Sequence, residues 1–159
     1  MGTGSAGRVA VMSIRPQYAS AILAGTKHVE FRKRRLAPDV TTVLIYATMP
    51  VGRIVGVFGV ADYDTGSPTA VWERHKAHAG ISREGYRDYY RGHRRAVAIV
   101  VADPRRLERP LELTELDPAL RAPQSFCYLA LDPSTGADPV RLALDAAADS
   151  TPERTLQLL

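Results

Sequence analysis

Apolar and polar residues alternate with two different periods in the first part of the chain. A short apolar strand is predicted over Arg8–Ile14, and Pro16 follows at a good first helical position, since its missing N–H costs nothing there. Apolar residues then recur at helical spacing up to Gly25, a typical left-handed helix end. From His28 the period becomes two. The pattern therefore predicts a strand, a helix and a second strand.

The second strand has one apolar and one charged face. Val29 and Phe31 point to the apolar side, because successive side chains alternate across a strand. The opposite face is predicted to carry four polar side chains: His28, Glu30, Arg32 and Arg34. Lys27 lies at the corner between helix and strand, where strict alternation need not hold. A strand of this kind is typical of a rim or of the wall of a polar cleft.

Further strands and helices follow in the remainder of the chain. Apolar runs predict strands over residues 42–48, 53–61, 94–102 and 126–131, with a turn over 62–66. Ser67 and Ser82 each precede a helical pattern and are predicted caps. Gly56 and Gly59 predict a strong bend within one strand. The predicted fold class is mixed α+β, a small β-barrel of about five to six strands with three helices packed around it.

The domain organisation follows from shifts in composition. Residues 1–8 are predicted to be a flexible leader, residues 9–131 one domain, and residues 132–159 a C-terminal extension. The extension is rich in Pro, Ser, Gly, Asp and Ala, and a short helix after Thr151 is predicted to contain Leu156, Leu158 and Leu159. The glycines at 2, 4 and 7 match a dinucleotide motif by letter, but they precede a strand instead of following one, so this motif is rejected.

Charge and composition narrow the classes of partner. The 159 residues carry a net charge of +4, which favours polyanions such as RNA or nucleotides. A single cysteine excludes an internal disulfide and suits a reducing, cytoplasmic location. No stretch approaches the ~20 apolar residues of a membrane span. We expect no cofactor and no membrane association. Whether the arginine-rich runs converge on one surface is left open, as is the oligomeric state.

The helix–strand corner carries the strongest candidate chemistry. A desolvated Lys27 can lose its proton, Glu30 can accept one, and Arg32 can hold a phosphate or carboxylate with two bonds. Arg15, beside the start of the first helix, adds a predicted anion site, because helix N-termini carry free N–H groups. A solvated strand face with ordinary ion pairs is the alternative interpretation.

Other reactive side chains are ambiguous. The aromatic set Trp72, Tyr86, Tyr89 and Tyr90 either stacks unpaired bases or packs in the core. His75 and His78 lie three apart on a helix, but a metal site needs a third ligand, so no metal is expected. Cys127 lies in an apolar strand and is interpreted as a structural thiol.

The opening segment resembles the start of ASCH domains, which belong to the PUA-like superfamily. The residues that carry the resemblance are Ser13, Ile14, Pro16, Gly25, Lys27, Glu30 and Arg32. Further matches follow in order: residues 45–50 (IYATMP), the GVFGV strand, the helix end at 89–92 and the segment 123–126. The resemblance covers about residues 9–131. It implies a PUA-like β-barrel with a cleft beside the first helix, and RNA or a modified nucleotide as ligand.

Together, the residues and the resemblance predict one binding site. Its predicted ligand-binding residues are Ser13, Arg15, Lys27, Glu30, Arg32, Tyr90, Gln124 and Ser125. The leading interpretation is an RNA- or nucleotide-binding module. The second is a hydrolase that acts on RNA or on a modified nucleoside, with Lys27 and Glu30 catalytic. The third is a protein-interaction or regulatory module that uses residues 67–92.

The resemblance implies two activities for the hydrolase interpretation. One is cleavage of RNA, and the other is hydrolysis of the amide in N4-acylated cytidines. The amide hydrolases pair the lysine with a threonine three residues later and with a distal glutamate. Here Glu30 occupies the threonine position, and His78, Ala79 and Gly80 occupy the region of the glutamate. Two of the three roles are therefore not carried over.

Overall fold

A curled sheet of six strands organises the fold. The structure, a computed structural model, describes residues 7–129 and 139–148. The elements in chain order are β1 (Arg8–Ile14), α1 (Pro16–Ala24), β2 (Val29–Arg32), β3 (Val40–Ala47), β4 (Arg53–Gly66), α2 (Pro68–His75), α3 (Arg83–Tyr89), β5 (Ala96–Leu111), β6 (Phe126–Tyr128) and α4 (Pro139–Ala148). Single turns of 3₁₀ helix occupy Lys76–His78 and Leu113–Glu115. None of the described helices is long and apolar enough to cross a membrane.

The strand order explains how the sheet curls into an open barrel. The order is β2-β5-β4-β3-β1-β6, with β1 parallel to β3 and the other pairs antiparallel. The two longest strands, β4 and β5, pair with register shifts beside Gly56 and Gly59. Such bulges bend a strand and increase its twist. The predicted bend is thus present, and the edge strands β2 and β6 are brought round towards each other.

Gly56 also sets how closely α1 packs on the sheet. A side chain there would place Cβ 2.5 Å from the Leu23 side chain and 2.8 Å from the Arg105 carbonyl oxygen. Both distances are shorter than real Cβ contacts allow, so only glycine lets α1 approach β4. Behind this contact lies a core of fully buried side chains that includes Met12, Ile22 and Phe58.

The other two core clusters lie under the remaining helices. One is built around Leu44, Ile54 and Leu111, and α4 packs against it through Ala143. The second lies under α2 and α3. It is formed by Val71 of α2, Tyr86 of α3, and buried residues of β2 and of the start of β5. The described helix α4 falls within the predicted extension, whereas the predicted helix after Thr151 lies outside the described residues.

The predicted elements agree with the structure in kind and differ in length. Ser67 and Ser82 cap α2 and α3 by accepting hydrogen bonds from Ala70 N and Gly85 N, as predicted. The predicted turn over 62–66 is wrong, because these residues continue β4 and pair with β5. Helix α2 ends at His75, short of the predicted stop at Gly80. The mixed α+β fold class with a six-stranded, partly open barrel is confirmed.

Candidate functional site

Arg32 joins the two edges of the open barrel. Its Nη2 atom donates to the Ser13 carbonyl oxygen of β1 at 2.8 Å, and its Nη1 atom donates to Ser125 Oγ at 3.1 Å. The Ser13 N–H in turn donates to the Ser125 carbonyl oxygen at 2.9 Å, and Ser13 Oγ donates to the Pro123 carbonyl oxygen at 2.6 Å. We call this junction of β2 with β1 and the segment before β6 the seam.

A cavity of about 460 Å³ opens beside the seam. It lies between the start of α1, strand β2 and helix α3, and we call it the seam cavity. Its lining residues are Ser13, Ile14, Arg15, Tyr18, Lys27, Glu30, Phe31, Arg32, Ile81, Gly85, Tyr86, Asp88 and Tyr89. The volume is typical of a small-molecule or nucleotide site. The seam cavity brings together five of the predicted residues: Ser13, Arg15, Lys27, Glu30 and Arg32.

Lys27 is a buried cation at the bottom of this site. Its side chain is 2% exposed, and Nζ donates to the Ala79 carbonyl oxygen at 2.6 Å. The rings of Tyr18 and Phe31 lie about 5 Å from the ammonium group, with centroids at 5.2 and 5.0 Å. Burial lowers the pKa of Lys27, Glu30 opposes this shift, and nearby Arg32 adds to it. The ammonium group is therefore a readier proton donor than an exposed lysine.

Glu30 is a buried carboxylate with spare acceptor capacity. The residue is 7% exposed, and Oε1 lies 3.7 Å from Arg32 Nε. Its other oxygen, Oε2, has no hydrogen-bond partner among the described residues, and neither has Arg32 Nε. A buried polar atom without a partner is costly and is usually explained by function or by a bound group. Glu30 can thus accept a proton or a hydrogen bond from a ligand in the seam cavity.

The comparisons with known proteins bear on this arrangement. The family model of the ASCH domain matches residues 12–110, which is more than half of the chain. The chain belongs to the ASCH domain family. It is 35% identical over 124 residues to a protein of Zymomonas mobilis named "ASCH domain-containing ribonuclease", covering 76% of this chain and 83% of that relative.

Solved structures agree with the family and the fold. A crystal structure of an ASCH protein from Zymomonas mobilis matches with a TM-score of 0.71 at 34% identity, covering 77% of this chain and 87% of that one. The N-terminal domain of McrB from Staphylothermus marinus matches with a TM-score of 0.52 at 11% identity, covering 85% and 92%, which shows the fold alone. The predicted PUA-like barrel of this ASCH domain is confirmed.

Three of the predicted binding residues, Tyr90, Gln124 and Ser125, do not line the seam cavity, although Ser125 contacts Arg32 at its edge. Tyr90 is 3% exposed, and its hydroxyl donates to the Arg32 and Val97 carbonyl oxygens at 2.8 and 3.4 Å. Its neighbour Tyr89 lines the cavity instead. Gln124 is exposed outside it. Tyr90 therefore acts on the site indirectly, by fixing the end of β2.

The anion-binding roles expected of Arg15 and Arg32 are also modified. Both terminal nitrogens of Arg32 already donate hydrogen bonds to the protein. The guanidinium therefore mainly holds the seam together, and a bidentate contact with a phosphate is not its main role. At the start of α1, Pro16 has no N–H, and the Tyr18 and Ala19 N–H groups donate to the Arg15 carbonyl oxygen. The helix start thus offers few free donors, and the exposed Arg15 guanidinium is the remaining cation at the cavity mouth.

The charged face predicted for β2 is shorter than expected. The strand ends at Arg32, so Arg34 lies beyond it and is exposed. His28 precedes the strand, is exposed and stacks on His78 with ring centroids 4.1 Å apart.

His75 instead contacts Asp64 Oδ2 at 2.7 Å. The described residues hold no group of three or more His, Cys, Asp or Glu side chains suited to a metal ion.

Gly80 is a site residue that the sequence marked only as a helix stop. It has a left-handed φ of +65°, and an added Cβ would lie 2.5 Å from both Cβ and Cγ of Lys27. The absence of a side chain lets the 79–80 backbone reach over Lys27 and present the Ala79 carbonyl to Nζ. The region in which the resemblance implies a distal glutamate therefore supplies a backbone carbonyl to Lys27.

We expect Gly80→Ala to disturb Lys27 beyond the cost of its backbone strain. A left-handed alanine costs about 1 kcal/mol, and the collision with Lys27 adds to it, so unfolding in urea should show a loss of at least about 2 kcal/mol. Gly25→Ala is the matched control, because Gly25 has a φ of +84° and nothing lies within 4 Å of an added Cβ. Equal losses in the two variants would contradict the packing of Gly80 on Lys27.

The lowered pKa of Lys27 predicts a pH-dependent stability. Between the folded-state pKa and the higher unfolded-state pKa, the unfolded chain binds more protons, so the free energy of unfolding rises with pH. The penalty of burying the ammonium is fully present below this window and is relieved across it. We expect the free energy of unfolding of the wild type, measured relative to Lys27→Met in urea, to increase with pH up to the ordinary lysine range. Lys33→Met, at an exposed position, is the matched control, and a pH-independent difference for Lys27→Met would contradict the prediction.

Proposed function

We propose that this ASCH domain binds single-stranded RNA and cleaves it in the seam cavity, with the 2′-hydroxyl of the RNA as nucleophile. The observation that carries the proposal is the unpartnered Glu30 carboxylate oxygen beside the buried Lys27 ammonium. The relative named as a ribonuclease, which this chain covers over most of its length, supports RNA cleavage as the activity. An unpaired nucleotide fits a cavity of about 460 Å³, whereas a duplex does not enter one.

Glu30 is the general base of the proposed reaction. Its Oε2 atom takes the proton of a 2′-hydroxyl group, and the freed oxygen attacks the adjacent phosphorus. A bond forms between O2′ and phosphorus while the bond from phosphorus to O5′ breaks. The products are a 2′,3′-cyclic phosphate on one fragment and a 5′-hydroxyl on the other.

Lys27 is the general acid. The leaving O5′ takes its proton from the Lys27 ammonium, and the lowered pKa of this group favours the transfer. Before transfer, the same charge stabilises the extra negative charge on the phosphate oxygens. Exchange with water then returns a proton to Lys27 and removes one from Glu30, so the cycle is balanced.

The remaining cavity residues bind and position the substrate. Arg15, exposed at the mouth, neutralises a phosphate. Tyr89 and Tyr18 line the wall and offer ring surface to a base. Arg32 is a positioning residue, because it holds the seam and lies against Glu30. The RNA cleavage reaction is preferred to amide hydrolysis because the threonine position holds Glu30, which has no hydroxyl nucleophile.

The test is product analysis on an RNA with a single ribonucleotide in an otherwise 2′-deoxy strand. We expect cleavage after that ribonucleotide alone, with a 2′,3′-cyclic phosphate end, and no cleavage of the fully 2′-deoxy strand. The assay is run with a chelator and with added divalent cations, so that a contribution from a metal is measured directly. Cleavage of the all-deoxy strand, or products with 5′-phosphate ends, would contradict the proposed nucleophile. Salt-sensitive binding without turnover would leave the RNA-binding module as the function.

A further inference from the structure

A second concave surface lies on the other side of helix α3. This cavity of about 480 Å³ lies between α2 and α3 and is distinct from the seam cavity. Its lining residues are Pro68, Thr69, Trp72, Arg83, Tyr86, Arg87, Tyr90 and His93. We call it the α2–α3 groove. It combines an aromatic floor with cationic rims, a combination typical of surfaces that hold unpaired nucleic acid.

The two arginines of the groove do not serve the stability of α3. Arg83 is the first residue of the helix, where the positive end of the helix dipole disfavours a cation. Arg87 follows four residues later, so two like charges face each other on one side of the helix, which is also unfavourable. Both side chains are exposed, and among the described residues neither forms a hydrogen bond or an ion pair within 4 Å with an acidic side chain. Arg83 interacts with the Glu73 carboxylate only over a longer distance, and Glu73 is already paired with Lys76. Their charge is therefore available to an anionic partner.

Trp72 supplies the aromatic surface between these cations. It is half-buried and rests against Tyr86, with ring centroids 4.8 Å apart. The hydroxyl of Tyr86 donates to the Pro68 carbonyl oxygen at 2.7 Å, which fixes this ring at the base of the groove. The indole is thus held in place and is exposed on one side. Stacking of a base on Trp72 would therefore cost little side-chain entropy.

The groove adjoins the seam cavity. Tyr86 lines both, so one side chain forms the wall between them. A third depression along α3 shares Asp88 with the seam cavity and both arginines with the groove. This depression also holds two carboxylates, Glu84 and Asp88, beside three arginines. Asp88 is paired with Arg91 at 2.7 Å, which offsets its repulsion of a phosphate chain. A strand that leaves the seam cavity over α3 therefore reaches the groove.

We propose that the α2–α3 groove is a second RNA subsite, in which Arg83 and Arg87 hold backbone phosphates and Trp72 stacks a base outside the cleaved bond. This inference rests on the proposed function, which sets the path of the RNA from the seam cavity to the groove. It assigns a preference for single-stranded substrates longer than the cleaved dinucleotide. The binding energy gained in the groove helps to position the RNA for cleavage in the seam cavity.

Tryptophan fluorescence tests the groove directly, because Trp72 is the only tryptophan in the chain. The probe is a 2′-O-methyl RNA of about ten nucleotides, a length within the range of one single-strand binding site. We expect salt-sensitive quenching of Trp72 by this probe and none by an acidic peptide of equal charge. Absence of quenching, or equal quenching by the peptide, overturns the subsite.

A matched pair of double variants separates the groove from general charge effects. We expect Arg83→Ser/Arg87→Ser to weaken binding of the long probe about tenfold and to reduce the slope of log affinity against log salt by about 1.4. Arg105→Ser/Arg106→Ser removes the same charge from exposed positions of β5 that line neither the seam cavity nor the groove, and should change both quantities much less. Similar effects of the two double variants overturn the subsite.

Turnover distinguishes failure of the subsite from failure of the proposed function. In the Arg83→Ser/Arg87→Ser variant, we expect a higher KM for the long RNA and unchanged kcat/KM for a dinucleotide. If the wild type cleaves both substrates and this variant matches the control variant, the subsite is wrong and the proposed function stands. If the wild type cleaves neither substrate but the probe quenches Trp72, the subsite stands as an RNA-binding surface and the proposed cleavage is wrong.

Discussion

Replacement of Glu30 by glutamine should lower the rate of RNA cleavage by between about 10² and 10⁴, the usual contribution of a general base. The amide has nearly the shape of the carboxylate, so the seam cavity keeps its form, but it cannot take a proton from a 2′-hydroxyl group. The effect should fall on kcat, because the proton transfer occurs only in the transition state. The measurement is single-turnover cleavage of the strand with one ribonucleotide, with KM followed in parallel.

The control for this variant is another acidic residue of the same cavity. Asp88 lines the seam cavity but is exposed and paired with Arg91. Asp88→Asn should therefore change kcat by less than about tenfold, since it touches no proton in the proposed reaction. A rate for Glu30→Gln within about twofold of the wild type would exclude Glu30 as the base.

Loss of Arg32 should have the largest effect on stability. Arg32→Met removes the cation beside a buried carboxylate and both bonds across the seam. Removal of one member of a buried ion pair typically costs about 3 kcal/mol or more. The Lys27 ammonium remains near Glu30, so the expected loss combines the weakened charge pair with the two lost seam bonds. Urea unfolding of the variant should show a midpoint well below that of the wild type, with an unchanged dependence of the free energy on urea concentration.

A double-mutant cycle separates the charge pair from the seam bonds. In Glu30→Gln/Arg32→Met the carboxylate that has lost its arginine is absent, so part of the lost stability should return. Arg32→Lys keeps a cation but lacks the planar fork that reaches Ser13 and Ser125 together, so it should recover little of the seam contribution. If the double variant is destabilised by the full sum of the two single changes, Glu30 and Arg32 are not coupled.

The sequence predicted the helix–strand corner because its signals are local. Pro16 and Gly25 mark the ends of α1 by backbone rules that hold whatever the helix packs against, and the structure has both where expected. The ASCH resemblance rests on this segment together with the ordered matches downstream, and the fold class rests on the strand and helix pattern of the whole chain. Both are confirmed by the comparisons. That Lys27, Glu30 and Arg32 act on a ligand stays a prediction.

What the sequence did not reveal depends on contacts between distant segments. The carbonyl that holds Lys27 comes from Ala79, 52 positions away, and no local pattern indicates that contact. Tyr89 and Tyr90 are neighbours at the end of a short helix, and which one lines the seam cavity depends on how α3 docks. Residues 62–66 have the composition of a turn, but pairing with β5 overrides that preference. The sequence indicated which reactive side chains the site carries, but not how the fold orients them.

The insertion point of α2 and α3 has a consequence for how this domain can be re-engineered. Gly66 at the end of β4 pairs with Ala96 at the start of β5, so the helical segment leaves and re-enters the sheet at one place. Such a segment is exchangeable in principle, as one cassette on a constant barrel. The Ala79 carbonyl restricts the exchange, because any replacement must present an acceptor to Lys27 at the same spot. A transplanted cassette would thus bring its own wall to the seam cavity but would keep Lys27 hydrogen-bonded only with that single backbone contact preserved.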